Sequence, residues 1–297
     1  MVGAGDFSDR VLADADLAMY TAKEHGRNRV VIHEADSAEA SRPRFSWSQA
    51  LNEALEQERF VLHCQPVIAA RSGKTAHHEL LLRLPGPDGE LAVAGEFVPV
   101  ADRFGLIEAI DFWVVGEAIT LLAAHPGATL AVNLSASSMR GIELLEHVDA
   151  RTHELDVRPD RLIFEISERA AIADMAGTLE FAHALRALGC RISLDNFGAG
   201  FGSFSYLKQL PAQYVKLDGE FVKRLPAGNS DRLIVGAMAE IGQGLGRQIV
   251  AECVETEAAL EWLRQIGVDY IQGFLLGEPR LAEPTLAGEA ELLAPQR

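Results

Sequence analysis

From Phe60 onward, short apolar segments rich in β-branched residues alternate with longer stretches of helical period, and this alternation limits the fold more than any other feature of the chain. It is the signature of βα units feeding a mainly parallel sheet. The candidate strands are Phe60 to Val67, His78 to Arg83, Leu130 to Leu134, Leu162 to Ile166, Arg191 to Asp195, Tyr214 to Leu217, Gln248 to Ala251 and Tyr270 to Gln272. Ala170 to Leu188 and Ser230 to Leu245 are two of the helices between them. Such a count over about 240 residues predicts an α/β chain closed as a TIM-like (β/α)8 barrel. An open doubly wound sheet is the competing arrangement, but no glycine-rich dinucleotide fingerprint follows the first strand.

Upstream, Asp6 to Arg29 reads as one helix, with Val11, Leu12, Ala15, Met19 and Ala22 at helical spacing and Gly26 where a C-terminal cap belongs. A short extended run, Val30-Val31-Ile32, follows. So little chain cannot bury a core of its own. It is either a helix docked on the main body or the end of another domain. Residues 35–45 suit a linker, and Ser46-Trp47-Ser48-Gln49 fits a capping box that opens a helix to about Glu58.

The 297 residues carry a formal net charge of −16. That argues against nonspecific nucleic-acid binding, which needs a basic face, and against docking on anionic lipid. A phosphate-bearing ligand would have to be met by local cations or bound metal. No apolar run approaches a membrane span, and no secretory signal opens the chain. Cys64, Cys190 and Cys253 are too few and scattered for a disulfide framework. These features predict a soluble, cytoplasmic chain without membrane contact.

Gln65, Asn133, Glu165, Asp195, Lys216, Glu252 and Gln272 all fall near a predicted carboxyl end of a strand, with Glu79 inside its strand. In a parallel barrel those ends converge on one rim, where barrel enzymes place their sites. Alternation puts Asp195 on the face of Ser193, away from Ile192 and Leu194, and Lys216 opposite Val215 and Leu217. Acidic groups gathered on one rim demand a cation, and oxygen ligands without His or Cys favour Mg²⁺ or Mn²⁺ over zinc. Paired ions can activate water and clamp both oxygens of a phosphoester displacement, while a lysine stabilises phosphorane charge. The pattern is that of a metal-dependent phosphohydrolase. A single acid at a strand end is more often a helix cap or a solvated loop residue, but that account must be repeated at every strand. His78, Cys64 and Cys253 fall on the opposite face and read as packing residues.

Glu79-Leu80-Leu81-Leu82-Arg83, Asn133-Leu134-Ser135, Glu165-Ile166-Ser167-Glu168, Asp195-Asn196-Phe197-Gly198-Ala199-Gly200, Lys216-Leu217-Asp218, Glu252-Cys253-Val254-Glu255 and Gln272-Gly273 resemble, in order and spacing, the motifs of EAL domains. These are bacterial cyclic di-GMP phosphodiesterases with a barrel fold. The resemblance places an EAL domain at 46–285 and a tail at 286–297. Ala15 to Lys23 with Gly26-Arg27-Asn28-Arg29 resembles the last helix of a GGDEF (diguanylate cyclase) domain, so 1–34 would be its remnant in a fragment of a longer GGDEF–EAL signalling protein. No cyclase activity is expected from that tail.

Carried over, the resemblance implies metal ligands at Glu79, Asn133, Glu165 and Asp195, with Asn196 at the place of the second metal's ligand and Glu252 near the waters of the metals. Lys216 would touch the nucleophilic water. Gln65, Leu81, Arg83 and Gln272 would hold the dinucleotide. Glu168 would brace the loop after Asp195, a loop tied in this family to metal binding and homodimerisation. The reaction would open one phosphodiester of cyclic di-GMP to give linear pGpG.

Some residues depart from the family pattern. Leu80 replaces an Ala, Cys64 a common Tyr, Cys253 a Gly and Ala199 a Thr, the last removing a hydroxyl from the metal loop. Asn196 stands where active members carry a second Asp. It keeps a carbonyl oxygen but loses a full charge beside a divalent ion, which predicts a loss of about 1 to 3 kcal/mol in metal affinity. A weakened phosphodiesterase, a cyclic di-GMP receptor that does not cut, and a ligand-free interaction domain are the three resulting readings. Lys216 and Glu252 favour the first.

Overall fold

The computed structural model describes residues 47–86, 89–199, 204–226 and 228–293. The readings above for the first helix, the linker, Ser46, Gly200 and the last four residues lie outside them. The chain divides into two compact units, Met1–Leu51 and Asn52–Arg297. Of the first, only the opening turns of α1 (Trp47–Glu56) are described.

The second unit carries ten strands: β1 (Val61–Ala69), β2 (Thr75–Pro85), β3 (Leu91–Val93), β4 (Leu130–Leu134), β5 (Leu162–Ser167), β6 (Arg191–Phe197), β7 (Tyr214–Leu217), β8 (Gln248–Ala251), β9 (Tyr270–Ile271) and β10 (Arg280–Leu281). Helices α2 (Ala94–Arg103), α3 (Ile107–Ala124), α4 (Glu143–Glu154), α5 (Glu168–Ala173), α6 (Met175–Ala187), α7 (Gly219–Lys223), α8 (Asn229–Gly244), α9 (Glu257–Gln265) and α10 (Ala282–Leu293) connect or follow them. The sheet runs β10-β1-β9-β8-β7-β6-β5-β4-β2-β3, and an additional β1–β2 pairing closes eight of the strands into a barrel. These eight are the predicted ones. The two short flanking strands, β3 and β10, were not predicted.

Two expectations need correction. Strand β1 runs antiparallel to both neighbours, β2 and β9, while the other seven barrel strands are parallel. The carboxyl end of β1 therefore points to the opposite rim, and Gln65 reaches the site from mid-strand, paired with Glu79. A hairpin whose register slips by one residue between Val67 and Ile68 reverses the chain here without leaving an apolar-pattern trace. The predicted helix from Ala170 to Leu188 is two helices. Asp174 leaves helical geometry (φ −141°, ψ 78°) and its side chain accepts from Gly177 N, 3.0 Å away. A short polar side chain that bonds the next turn's amide starts a new helix. Ser167 and Thr256 cap α5 and α9 in the same way.

The barrel interior is layered by the two-residue period of a strand. Val67, Ala131, Ile163, Tyr214 and Val250 pack together as one layer, with Tyr270 against it. The His77 ring lies 5.5 Å from Tyr214 and 5.9 Å from Tyr270, completing an aromatic floor. Burial pushes the His77 imidazole down to about 3, helped by the nearby Lys216 charge, so the floor is neutral. Two residues along each strand from this floor stand Gln65, Glu79, Asn133, Glu165, Lys216, Glu252 and Gln272. Alternate residues such as Leu80, Val132, Phe164, Leu194, Val215 and Ile249 are buried on the other face, toward the helices.

Candidate active site

The strand ends supply the ring above the floor. Glu165 pairs laterally with Asn133, and Ser167 with Asp195. Between Leu194 and Phe197 the β6–β7 ladder slips: three residue steps on β6 oppose two on β7. The extra residue bulges Asp195-Asn196 out of the ladder, and Asn196 takes a left-handed conformation (φ 56°) that Asn tolerates better than most residues. A similar kink occurs at Cys253 (φ 54°), directly after Glu252. This gives a backbone reason for the family's glycine there, which packing alone did not show.

Lys216 is the hub. Its ammonium lies 2.7 Å from Glu165 Oε2, 2.8 Å from Glu252 Oε1, 3.0 Å from Glu79 Oε2 and 3.7 Å from Asp195 Oδ1. Asn133 Nδ2 donates to Glu79 Oε1 (2.8 Å), and Gln272 Nε2 donates to Glu79 Oε2 (2.8 Å) and Gln65 Oε1 (3.0 Å). Asn196 Nδ2 donates to Asp195 Oδ2 (2.6 Å). One connected network thus joins Gln65, Glu79, Asn133, Glu165, Asp195, Asn196, Lys216, Glu252 and Gln272. Leu81 and Arg83 follow Glu79 on the same face of β2, and Arg83 is half-buried with Nη1 donating to Leu82 O (2.9 Å). Within the ring Glu79, Glu165 and Lys216 are buried, whereas Asn133 and Asn196 are exposed, so the network has a deep charged base and an open polar lip.

Four carboxylates around one ammonium leave an excess of negative charge, and burial compounds it. Burial, then the neighbouring Glu79, pushes Glu165 well up. Burial likewise raises Asp195 against the pull of Lys216. Glu252 rises to about 8 for the same reasons, with Asp195 and Glu79 adding to the rise. Burial would raise Glu79 too, but Lys216 and the amides of Gln272 and Asn133 hold it below the usual range. The four carboxylates overcome the burial of Lys216 and keep its ammonium protonated far above neutrality.

The donor set suits a hard divalent cation: carboxylate and carboxamide oxygens only. Asp195 Oδ1 is buried without a hydrogen-bond partner, which is an oxygen left for a cation. Among the described residues no group of three His, Cys, Asp or Glu is spaced to hold a metal as it stands, because Lys216 Nζ occupies the centre of the acids. Lys216 and a divalent ion would share these oxygens, and the residues present fit the ion.

Glu168 accepts from Gly198 N (3.1 Å) and from the Tyr206 hydroxyl, tying β5's exit to the turn after β6. Tyr206 was not singled out from the sequence; its partner Glu168 lies 38 residues away along the chain. Cys64 and His78 are buried, as a packing role requires. No helix among the described residues is long and apolar enough to cross a membrane.

Residues 48–279 match the EAL domain. The chain is 38% identical over 293 residues to the bifunctional diguanylate cyclase/cyclic di-GMP phosphodiesterase MucR of Pseudomonas aeruginosa, covering 97% of this chain and 43% of that protein. It is 32% identical to the cyclic di-GMP phosphodiesterase PdeB of Shewanella oneidensis, covering 92% of this chain and 33% of that protein. The chain therefore spans less than half the length of these relatives. Among solved structures, the PaMucR phosphodiesterase in complex with c-di-GMP superposes with a TM-score of 0.77 at 38% identity, covering 81% of this chain and all of that one. The FimX EAL domain of Pseudomonas aeruginosa bound to c-di-GMP gives 0.75 at 32% identity, covering 79% and 96%. The barrel, its acid–lysine ring and these likenesses lead to one conclusion: the chain belongs to the EAL domain family of cyclic di-GMP phosphodiesterases.

Proposed function

We propose that the cleft hydrolyses one phosphodiester of cyclic di-GMP to give pGpG with the help of Mg²⁺ or Mn²⁺, two ions per site. The observation that carries this reading is Lys216 Nζ held within 3.0 Å of Glu79, Glu165 and Glu252. A binding module has little use for a buried ammonium anchored among carboxylates. Divalent ions held by Glu79, Asn133, Glu165, Asp195 and Asn196 would supply an activated water and a polarised phosphodiester. Lys216 orients that water and offsets charge growing on the phosphoryl oxygens. Glu252, 2.8 Å from Lys216, is placed beside the waters that such ions would carry. Arg83 meets a phosphate, and Gln65, Leu81 and Gln272 line the dinucleotide; Gln272 Oε1, buried without a partner, is an acceptor for it.

Chromatography of cyclic di-GMP with the purified protein, Mn²⁺ or Mg²⁺, and a metal-free control tests the reading. Metal-dependent pGpG supports it, and intact dinucleotide at saturating metal overturns it. The second reading, a receptor that binds without cutting, is favoured by the Asn196–Asp195 hydrogen bond, which gives Asp195 Oδ2 a partner from within the loop. Tight binding without product in the same experiment selects it. The match to MucR, a relative named as a cyclase and phosphodiesterase, covers 97% of this chain and supports reading residues 1–34 as the end of a GGDEF domain before an EAL domain at 46–285. A cytoplasmic homodimer is the assembly we propose.

A further inference from the structure

Strand β4 ends at Leu134, and the next amide, Ser135 N, leaves the sheet. It donates instead to Asp111 Oδ2 on α3 (2.9 Å). The same oxygen accepts from Ser138 Oγ (2.7 Å), and the Ser135 and Ser138 hydroxyls lie 3.1 Å apart. A second aspartate, Asp102 on α2, accepts from Ser137 Oγ (3.2 Å). Asp111 is buried, and a carboxylate on an apolar helix face is a costly choice unless its bonds matter. The turn it fixes begins two residues after Asn133, whose exposed carboxamide reaches Glu79 from the lip of the cleft.

We infer that Asp111 is a positioning residue for the active site: by anchoring Ser135 and Ser138 to α3 it fixes the end of β4 and thereby aims the Asn133 carboxamide. The inference rests on the phosphodiesterase reading for its catalytic consequence, but not for its geometry. Asp111 touches neither Asn133 nor the ring, so its effect passes through the turn. Both donors meet one oxygen, so the oxygen's place matters and not the charge. An asparagine can put its carbonyl oxygen there; an alanine leaves Ser135 N and Ser138 Oγ without their acceptor.

The test uses D111A and D111N in the full chain, read first by the Asn133 side-chain NH2 cross-peak in ¹H–¹⁵N spectra, assigned by its loss in N133S. D111A is expected to shift or broaden that cross-peak, and D111N to leave it near its wild-type position. In turnover, D111A should raise the Mn²⁺ concentration for half-maximal rate by fivefold or more while KM for cyclic di-GMP moves less than twofold; D111N should stay within twofold on both. An unmoved Asn133 signal in a folded D111A, or a D111N as impaired as D111A, overturns the inference. If D111A does not fold, S138A removes one donor alone and should move the same cross-peak by a smaller amount; no movement is again fatal. A wild-type protein that makes no pGpG sinks the phosphodiesterase reading and leaves the spectra to decide the role of Asp111.

Discussion

Lys216 Nζ stands 2.7 Å from Glu165 Oε2, both side chains almost wholly removed from solvent. Burial alone would neutralise each of them, and it is the surrounding acids that keep the ammonium charged.

Lys216→Met is expected to abolish turnover. It also strips the counter-charge from Glu79, Glu165 and Glu252, and breaking a buried ion pair from one side costs about 3 to 5 kcal/mol. Thermal unfolding in chelator should fall accordingly, and Mn²⁺ should restore more stability to the variant than to the wild type. Equal metal-induced shifts in the two proteins would show that lysine and metal do not share the same oxygens.

Asn196→Asp exchanges the amide that donates to Asp195 for a second negative charge. Without metal the variant should be less stable; with it, affinity for Mn²⁺ should rise by about tenfold to a hundredfold, the equivalent of about 1 to 3 kcal/mol. Calorimetric titration of both proteins reads this directly. Unchanged affinity would remove the charge argument.

Cys253 carries a side chain at φ 54°, with its sulfur over Gly219. Comparing Cys253→Gly with Cys253→Ala separates backbone from packing, since both lose the sulfur. The glycine variant should be the more stable by about 1 kcal/mol, because only the alanine retains the left-handed penalty. Urea midpoints at equal slope measure it, and an alanine variant as stable as the glycine one would contradict the prediction.

His77 binds its proton only near pH 3 in the folded chain against 6.5 in the unfolded one. The unfolded state therefore takes up the extra proton as pH falls below 6.5, and stability present above that value is lost on the way to about 3, at about 1.4 kcal/mol per pH unit. His77→Phe keeps a ring against Tyr214 and Tyr270 and should flatten that part of the profile. Parallel profiles from pH 6.5 to 4.5 would mean that His77 is not neutral in the fold.

Much of this architecture was legible in the residues. The eight barrel strands follow from β-branched runs, and six of the ring positions from their place near strand ends, because a two-residue period and a common rim leave few alternatives; Gln65 reaches the ring from mid-strand instead. Other features leave no periodic trace. The antiparallel course of β1 depends on a hairpin, and hairpin and crossover strands carry the same apolar pattern. The break at Asp174 hangs on one side-chain bond inside an alanine-rich stretch. The bulge at Asn196 and the kink at Cys253 are backbone conformations, visible only once the β6–β7 register and the turn after β8 are in place. Tyr206 and Asp111 act on the site from neighbouring segments, through partners 38 and 24 to 27 residues away, a distance no local motif spans.

The reversed β1 meets β9 along a short ladder. Its ladder to β9 has only two rungs, Ile68 with Ile271 and Ala69 with Tyr270, whereas the ladder to β2 runs nearly its whole length. Gln65 and Gln272 bridge the same junction through their side chains. The two amides that face the cleft are therefore also rivets across this short ladder, and the wall that shapes the cleft is stapled by the cleft's own lining.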